Sequence, residues 1–368
     1  MRATTKVLHT EWSDGWGGQE IRIINEMLLI QNRGVEVFLA CREDSIIKQK
    51  ALESNIKTFV LPFKGNADLK TIFKLRQIIL RYKITLINSH SGKDTWVAGF
   101  AAKLTGIKFI RTRHLSTPIN KSRFNFINEV ADFIFTTGEI VRASMIDSNR
   151  INPEKIKSVP TGVDCELFDP SKFNRLECRN ILSLGSDEIA IGMVSVLRKF
   201  KRHDRFIKMV RNVIDRNPKK QIKVFIAGAG PQEKNIRETI SDLNLNANIE
   251  MLGHIDNVPQ LLCALDIFVL SSDSGEGVSQ SLMQALVMET AVIATNVGST
   301  KDLLFDGNFV MIDVNNQKQM DDACNELLNS SNLRKKYQNK SREYVMQNFS
   351  DERMVEKITE VYDSLFRK

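Results

Sequence analysis

The sequence predicts an α/β protein: two doubly wound, Rossmann-like domains facing a cleft. Three observations point there. Short runs of Val, Ile, Leu and Phe recur without polar alternation, as parallel strands buried on both faces require. Amphipathic segments of helical period lie between them, and strand–helix alternation implies right-handed βαβ crossovers. The alternation runs once, breaks near residues 160–185 and runs again, and 368 residues exceed the roughly 250–300 that one core usually holds.

The elements follow in order. In the first half, strands are expected at residues 6–10, 35–41, 58–62, 85–90, 109–113 and 133–137. Helical patterning falls on 19–32, where Ile23, Met27 and Ile30 share a face, and on 69–82. The break holds Pro160, Gly162 and Pro170 in a polar, charged stretch, the composition of a linker plus a short helix. In the second half, strands are expected at 189–197, 223–227, 249–252, 267–271, 291–295 and 310–314, with helices at 204–216, 232–243 and 279–288. Residues 332–368 read as a charged helical tail. The domains predicted are 1–168 and 169–345, with helix 346–368 crossing back to the first.

Composition narrows the class. A hydrophobic content of 42% and a charged content of 26% are ordinary for a globular protein and exclude a long coiled coil, collagen or general disorder. No apolar run reaches the length of a membrane span, and residues 1–9 carry Arg2 and Lys6 but no apolar signal segment, so a cytoplasmic location is expected. Cys41, Cys165, Cys178, Cys263 and Cys324 are scattered with no CxxC pair, which reads as reduced thiols without a zinc site. The net charge of +8 fits a solvated basic surface or attraction to an anionic membrane face. Without a zinc-finger, RNP or helix-turn-helix signature, nucleic acid is not an expected partner.

Residues 64–83 concentrate that charge. Lys64, Lys70, Lys74, Arg76, Arg81 and Lys83 stand against Asp68 alone, with Ile72, Phe73, Leu75, Ile78, Ile79 and Leu80 interspersed. Lys121 and Arg123, beside Phe124 and Phe126, would extend the basic area. Peripheral binding to an anionic membrane surface is one expectation, a solvated helix face the other.

Five segments carry the chemistry. The run Ser271-Ser272-Asp273-Ser274-Gly275-Glu276-Gly277-Val278-Ser279-Gln280 joins a buried strand to a helix expected to start at about Gly277. Free N–H groups at such a helix start suit a diphosphate. Glu276 would accept sugar hydroxyls and Gln284 lies two turns on; alternatively Glu276 only caps and Gln284 only faces the helix surface. Arg198, Lys199, Lys201 and Arg202 follow the first strand of the second half, where cations would neutralise a leaving phosphate. Trp12 to Gly18 joins the first strand and helix; Gly17 and Gly18 permit close backbone approach to a ligand, and Trp12 and Trp16 stack on sugars or face the core. Gly228-Ala229-Gly230-Pro231 and Leu252-Gly253-His254-Ile255 end two more strands, and His90 and His114 end strands of the first half.

Taken in this order, the segments resemble the retaining nucleotide-sugar glycosyltransferases of the GT-B fold, the family 4-like enzymes of bacterial capsule and lipopolysaccharide synthesis. Gly17-Gly18 resembles the family's N-terminal glycine pair, Val159-Pro160-Thr161-Gly162-Val163-Asp164 with Phe168 its "PNGVD…F" segment, and Leu197-Arg198-Lys199-Phe200-Lys201 its "LRxxKG". Gly228 to Pro231 is similar to "GxGP", and Leu252-Gly253-His254 to "LGH". The chain departs from the family at Gln284, where a second Glu is usual, at Val196, where many carry Arg, and at Arg202, where Gly is usual.

The resemblance implies catalytic roles for Glu276, Arg198, Lys201 and His114. It implies donor binding by Gly17, Gly18, Gly228, Gly253, His254, Ile255, Gly277, Val278, Ser279, Gln280 and Gln284. It also implies a nucleotide sugar as substrate, a lipid-linked or oligosaccharide acceptor, and no metal or other cofactor, since cations and helix N–H groups would hold the diphosphate. A nucleotide-sugar 2-epimerase of similar fold and a non-catalytic nucleotide-sugar-binding protein are the competing readings.

Overall fold

The computed structural model describes residues 5–114 and 126–367, which form two compact units, Met1–Thr161 with Met354–Lys368, and Gly162–Arg353. Among the described residues the first unit runs β1 (Lys6–Thr10), α1 (Gly18–Gln31), β2 (Glu36–Cys41), α2 (Ile46–Glu53), β3 (Lys57–Val60), α3 (Leu69–Tyr82), β4 (Leu86–Ser89), α4 (Gly92–Thr105), β5 (Lys108–Arg113), α5 (Ile127–Val130), β6 (Phe133–Thr136), α6 (Glu139–Asn149) and β7 (Ile156–Ser158). The sheet order is β3-β2-β1-β4-β5-β6-β7, parallel throughout.

The second unit runs α7 (Arg175–Ile181), β8 (Ile189–Val194), α8 (His203–Arg216), β9 (Ile222–Ala227), α9 (Glu233–Asp242), β10 (Ile249–Gly253), α10 (Val258–Ala264), β11 (Ile267–Leu270), α11 (Gln280–Val287), β12 (Ala291–Thr295), β13 (Val310–Ile312), α12 (Gln317–Asn329) and α13 (Ser331–Phe349). Its sheet order is β10-β9-β8-β11-β12-β13, again parallel. A last helix, α14 (Asp351–Phe366), returns to the first unit.

Strand periodicity builds two cores per sheet, because successive side chains point to opposite faces. In the first unit Leu8, Phe38 and Ile87 pack against α3 and α4 through Ile72, Leu75, Ile79, Val97 and Ala101. Val7, Leu39 and Leu86 point the other way, onto Ile23 and Met27 of α1, Ile47 of α2, and Met354, Ile358 and Tyr362 of α14. In the second unit Phe225, Phe268 and Val292 face α10, α11 and α13, while Val224, Val269 and Ile293 face α8, α9 and α12.

Helix α3 shows how local sequence sets an element. Asp68 caps it by accepting from the Thr71 N–H at 3.1 Å, Ile72, Leu75 and Ile79 form the buried stripe, and Lys83 ends it in the left-handed conformation at φ 53.

The unit boundaries fall at Thr161 and Met354 rather than at 168 and 346. The reason is packing beyond Gly162. Val163 and Phe168 are buried in the second unit's core, and Val163 bridges Ser350 through Val163 N–H to Phe349 C=O (2.9 Å) and Asp351 N–H to Val163 C=O (3.1 Å). The charged tail is two helices, since Ser350 ends α13 and caps α14, its Oγ accepting from Arg353 N–H at 3.2 Å. The polar strand β7, read as part of no element, pairs with β6.

In each sheet the strand order reverses beside the first strand, between β1 and β4 and between β8 and β11. Loops leaving the carboxyl ends of those pairs run in opposite directions and open a crevice at each unit's switch point.

Candidate functional site

At the second unit's switch point the loop after β8 crosses the loop after β11. Ser271 Oγ reaches the carbonyls of Lys201 (2.9 Å) and Arg202 (3.1 Å), and Asp273 N–H donates to Phe200 C=O at 2.9 Å. Helix α11 starts at Gln280 with Ser279 as its cap, three residues later than expected, because Gly275 to Val278 are spent turning the chain. Glu276 is thereby turned inward and is 7% exposed. Its Oε1 accepts from Lys201 Nζ at 2.5 Å and from Ser272 Oγ at 2.5 Å. Glu276 and Lys201, distant in sequence, are thus brought together.

Two glycines let these loops approach. At Gly228 (φ 138) a Cβ would stand 1.8 Å from the Ser195 carbonyl oxygen; at Gly298 (φ 53) it would stand 1.9 Å from that of Glu276. Neither backbone conformation nor space admits a side chain there.

Arg202 occupies the family's glycine position and keeps a glycine-like backbone, φ 53 and ψ 49. A left-handed non-glycine residue costs about 1–2 kcal/mol. The guanidinium offsets this with hydrogen bonds to Asp204 (3.0 and 2.9 Å), Asp273 (2.8 Å) and Asn315 (3.4 Å), and those carboxylates, Asp204 first, raise its pKa. Next to it His203 is buried, 3.0 Å from Ser195 Oγ, and burial with the nearby Lys201 charge lowers its pKa to about 4.

The other expected residues are less closely drawn in. Arg198 is exposed and joins neither Lys201 nor Glu276; it lines a cavity of about 640 Å³ with Lys199, Phe200, Gln232, Asn235 and Thr239. Gly277 is half-buried in the turn, Val278 is 9% exposed and packs in the core, and Ser279 is buried, so this stretch offers mainly backbone. Gln280 donates to Gly162 C=O at 3.1 Å. Gln284 is half-buried on α11, with no side-chain hydrogen bond among the described residues. Gly253 accepts from Gly228 N–H at 2.7 Å, Ile255 is half-buried, and exposed His254 lies 3.5 Å from Asp256.

The first unit's switch point is built differently. Gly17 and Gly18 start α1, with Glu20 Oε2 accepting from Gly17 N–H at 2.9 Å. Beside them a cavity of about 660 Å³ is lined by Trp12, Gln19, Glu20, His90, Lys93, Trp96, Arg111, Arg113 and His114. Lys93 Nζ sits 3.9 Å above the Trp12 ring, and Trp16 is 38% exposed outside this lining.

Behind the cavity lies a buried polar network that the sequence reading did not anticipate beyond His90 and His114. His9 Nδ1 and His90 Nε2 are 2.9 Å apart, and His90 Nδ1 and His114 Nε2 3.0 Å. Burial lowers all three pKa values, that of His9 to about 3, so the chain of imidazoles is neutral. Asp94, fully buried, accepts from Thr10 Oγ1 (2.7 Å), His90 N–H (3.0 Å), Ser91 N–H (2.9 Å) and Ser91 Oγ (2.6 Å). Glu11 accepts from Ser13 N–H at 2.8 Å and from Gln19, and burial, then the Asp94 charge, push its pKa up to about 8. One signal was available: Ser91-x-x-Asp94 is a capping-box spacing at the head of α4.

Among the described residues no three His, Cys, Asp or Glu side chains stand together as a metal site, and no helix is long and apolar enough to cross a membrane.

Comparison with known proteins agrees with this architecture. Residues 174–344 match the family Glycosyl transferases group 1, and residues 16–167 match Glycosyltransferase Family 4. The UDP-Gal:alpha-D-GlcNAc-diphosphoundecaprenol alpha-1,3-galactosyltransferase of Escherichia coli is 23% identical over 97% of this chain and 96% of its own length. A glycosyltransferase from Rickettsia africae superposes with TM-score 0.90 at 19% identity, covering 99% of each chain. HepE of Anabaena, solved with UDP and glucose, superposes with TM-score 0.82 at 18% identity over 98% of this chain and 100% of its own. The two parallel sheets are therefore those of the GT-B fold.

Proposed function

The chain belongs to the glycosyl transferases, to group 1 through its second unit and to family 4 through its first, and from that premise we propose that it moves a sugar from a uridine diphosphate donor to an acceptor hydroxyl with retention of anomeric configuration. The observation that carries this reading is the buried Lys201–Glu276 pair at the β8/β11 switch point, at the head of α11. Two relatives support the donor: HepE was solved with UDP and glucose, and the Escherichia coli enzyme is named for UDP-Gal.

In this reading the second unit holds the donor. Glu276, already oriented by Lys201 and Ser272, accepts from sugar hydroxyls, and Gln284 accepts from the ribose. Lys201, with the N–H groups at residues 277–280 and a cation from Arg198, stabilises the charge that develops on the departing diphosphate, the task a divalent metal performs elsewhere. The acceptor oxygen bonds to the anomeric carbon as the bond to the β-phosphate oxygen breaks, and its proton passes to that departing oxygen. His114, lining the first unit's cavity, contacts acceptor or donor sugar.

The test is incubation with UDP-glucose, UDP-galactose and UDP-N-acetylglucosamine, with and without a diphosphate-linked sugar acceptor. UDP release that requires the acceptor, an α-linked product by proton NMR, and indifference to EDTA are the expected results. Acceptor-independent epimer formation, or binding without turnover, would sink the transferase reading; fold alone does not separate these outcomes.

The same reading places the acceptor at an anionic membrane on its cytoplasmic side, bound peripherally by α3. While Ile72, Leu75 and Ile79 pack inward, Leu69, Phe73 and Leu80 are more than half exposed among Lys70, Lys74 and Arg81. Basic groups near an anionic leaflet contribute about 1 kcal/mol each. Lys121, Arg123 and Phe124 lie outside the described residues. Co-sedimentation with vesicles should rise with anionic lipid and fall with salt; binding that ignores lipid charge would remove this part of the proposal.

A further inference from the structure

Arg202 keeps a backbone that glycine would hold without strain. It stands at φ 53 between the short turn Lys199–Lys201 and α8, where a side chain is disfavoured. Such strain persists only where the surrounding contacts over-determine it. Nε and Nη2 donate to the two oxygens of Asp204, in the first turn of α8, and so fix the guanidinium to its own helix. Nη1 then reaches the other loop, donating to Asp273 Oδ2 at 2.8 Å. The Arg202 and Asp273 side chains are 27% and 25% exposed, so water competes with this ion pair less than it does at an open surface.

Asp273 opens the stretch of loop that ends in Glu276. Before it, Ser271 is tied to the carbonyls of Lys201 and Arg202, and Asp273 N–H to that of Phe200. After it come Ser274 and Gly275, both exposed, with Gly275 at φ 70. Among the described residues these two make no hydrogen bond to another loop; Ser274 Oγ donates to Asp273 itself. The position of Glu276 is therefore set from two sides, at Asp273 by Arg202 and at its own carboxylate by Lys201 and Ser272. Lys201 has a second task in the transferase reading, since it also meets the diphosphate. Arg202, with its N–H groups on Asp204, Asp273 and Asn315, has no such second demand.

We propose that Arg202 is a positioning residue for the donor sugar: through Asp273 it clamps the loop over residues 273–276, so that Glu276 stays aimed at the sugar hydroxyls while Lys201 is drawn to the diphosphate. This rests on the transferase reading and deepens it. The clamp acts on the sugar half of the donor, so it strengthens binding of a UDP-sugar and leaves binding of UDP alone.

Arg202→Gly isolates the guanidinium, because glycine holds φ 53 unaided. Asp273→Asn breaks the same bond from the other loop, and Arg202→Lys restores a cation. Calorimetric titration uses UDP, UDP-glucose, UDP-galactose and UDP-N-acetylglucosamine. For the UDP-sugar that wild type binds most tightly, affinity should fall about 10-fold in Arg202→Gly and in Asp273→Asn, with UDP affinity unchanged and Arg202→Lys regaining most of the loss. The double variant Arg202→Gly, Asp273→Asn should be no worse than either single one. In the ligand-free protein, hydrogen exchange of the peptide over residues 271–279 should be faster in both single variants. Unchanged exchange, equal losses for UDP and the UDP-sugar, or losses that add in the double variant would each overturn the proposal. If wild type transfers sugar and Arg202→Gly keeps its KM for the donor, this inference alone fails. If wild type binds a UDP-sugar through Arg202 but never transfers it, the transferase reading fails and this one stands. A wild type that binds none of the UDP-sugars more tightly than UDP overturns both.

Discussion

The two switch points share a topology and differ in how they carry charge. At the loop crossing of the second unit the charges are paired: Lys201 with Glu276, and Arg202 with Asp204 and Asp273. In the first, groups are kept neutral by burial, as in the histidine chain and Glu11, and among the described residues the buried Arg111 makes no ion pair. A paired site is organised before its ligand arrives.

The sharpest way to break this contrast is to loosen the paired site. Gly228→Ala places a Cβ 1.8 Å from the Ser195 carbonyl oxygen at φ 138, so a loss of about 4 kcal/mol or more, roughly a 10 °C fall in melting point, is expected by calorimetry. A normal melting point would show that the β8 loop is free to move. Next come the paired charges themselves. Glu276→Ala and Lys201→Ala should each lower kcat by about 10²–10³-fold. Each also strands a buried partner, at about 3–5 kcal/mol, whereas a Glu276→Gln, Lys201→Met double variant should regain stability without regaining turnover. If the double variant turns over normally, the pair is structural only.

The neutral site makes a prediction in pH. Glu11 has its pKa raised from 4.5 to about 8, so between those values the folded chain holds a proton that the unfolded chain has released. Its contribution to stability therefore falls as pH rises from about 4.5 to about 8, by at most about 1.4 kcal/mol per pH unit. Glu11→Gln should lose that slope, its advantage in melting point over wild type widening from pH 5 to pH 8; a constant difference would mean that Glu11 is ionised throughout. The smallest effect is expected of Gln284→Glu, which preserves an acceptor oxygen and should stay within about 3-fold of wild-type kcat/KM. An inactive, folded Gln284→Glu protein would give the amide N–H₂ a role of its own.

The same contrast explains what was legible in the sequence. Helix α3 was predicted over 69–82 and is found there, because a stripe at Ile72, Leu75 and Ile79 between an Asp cap and a left-handed Lys is local information. The second switch point was legible because its parts are contiguous motifs around Lys201 and Glu276. Its partnership was not, since the Lys201–Glu276 bond depends on two loops crossing. Nor was the first site, assembled from single residues of different strands and loops: His9, Glu11, His90, Asp94 and Arg111 have no common spacing. Helix α4 was missed for a related reason: its buried residues, among them Ala98, Gly99, Ala101 and Ala102, are small and spread round the helix, leaving no apolar stripe.

Helix α14 has a consequence in time. Ile23, Met27 and Ile30 of α1 share their core with Met354, Val355, Ile358 and Tyr362, which the ribosome makes only after all of Gly162–Arg353. At about 5–20 residues per second, translation of that stretch takes roughly 10–40 s. For that interval the first sheet has one face closed and the other bare beside α1, so the half of the molecule that is made first is finished last.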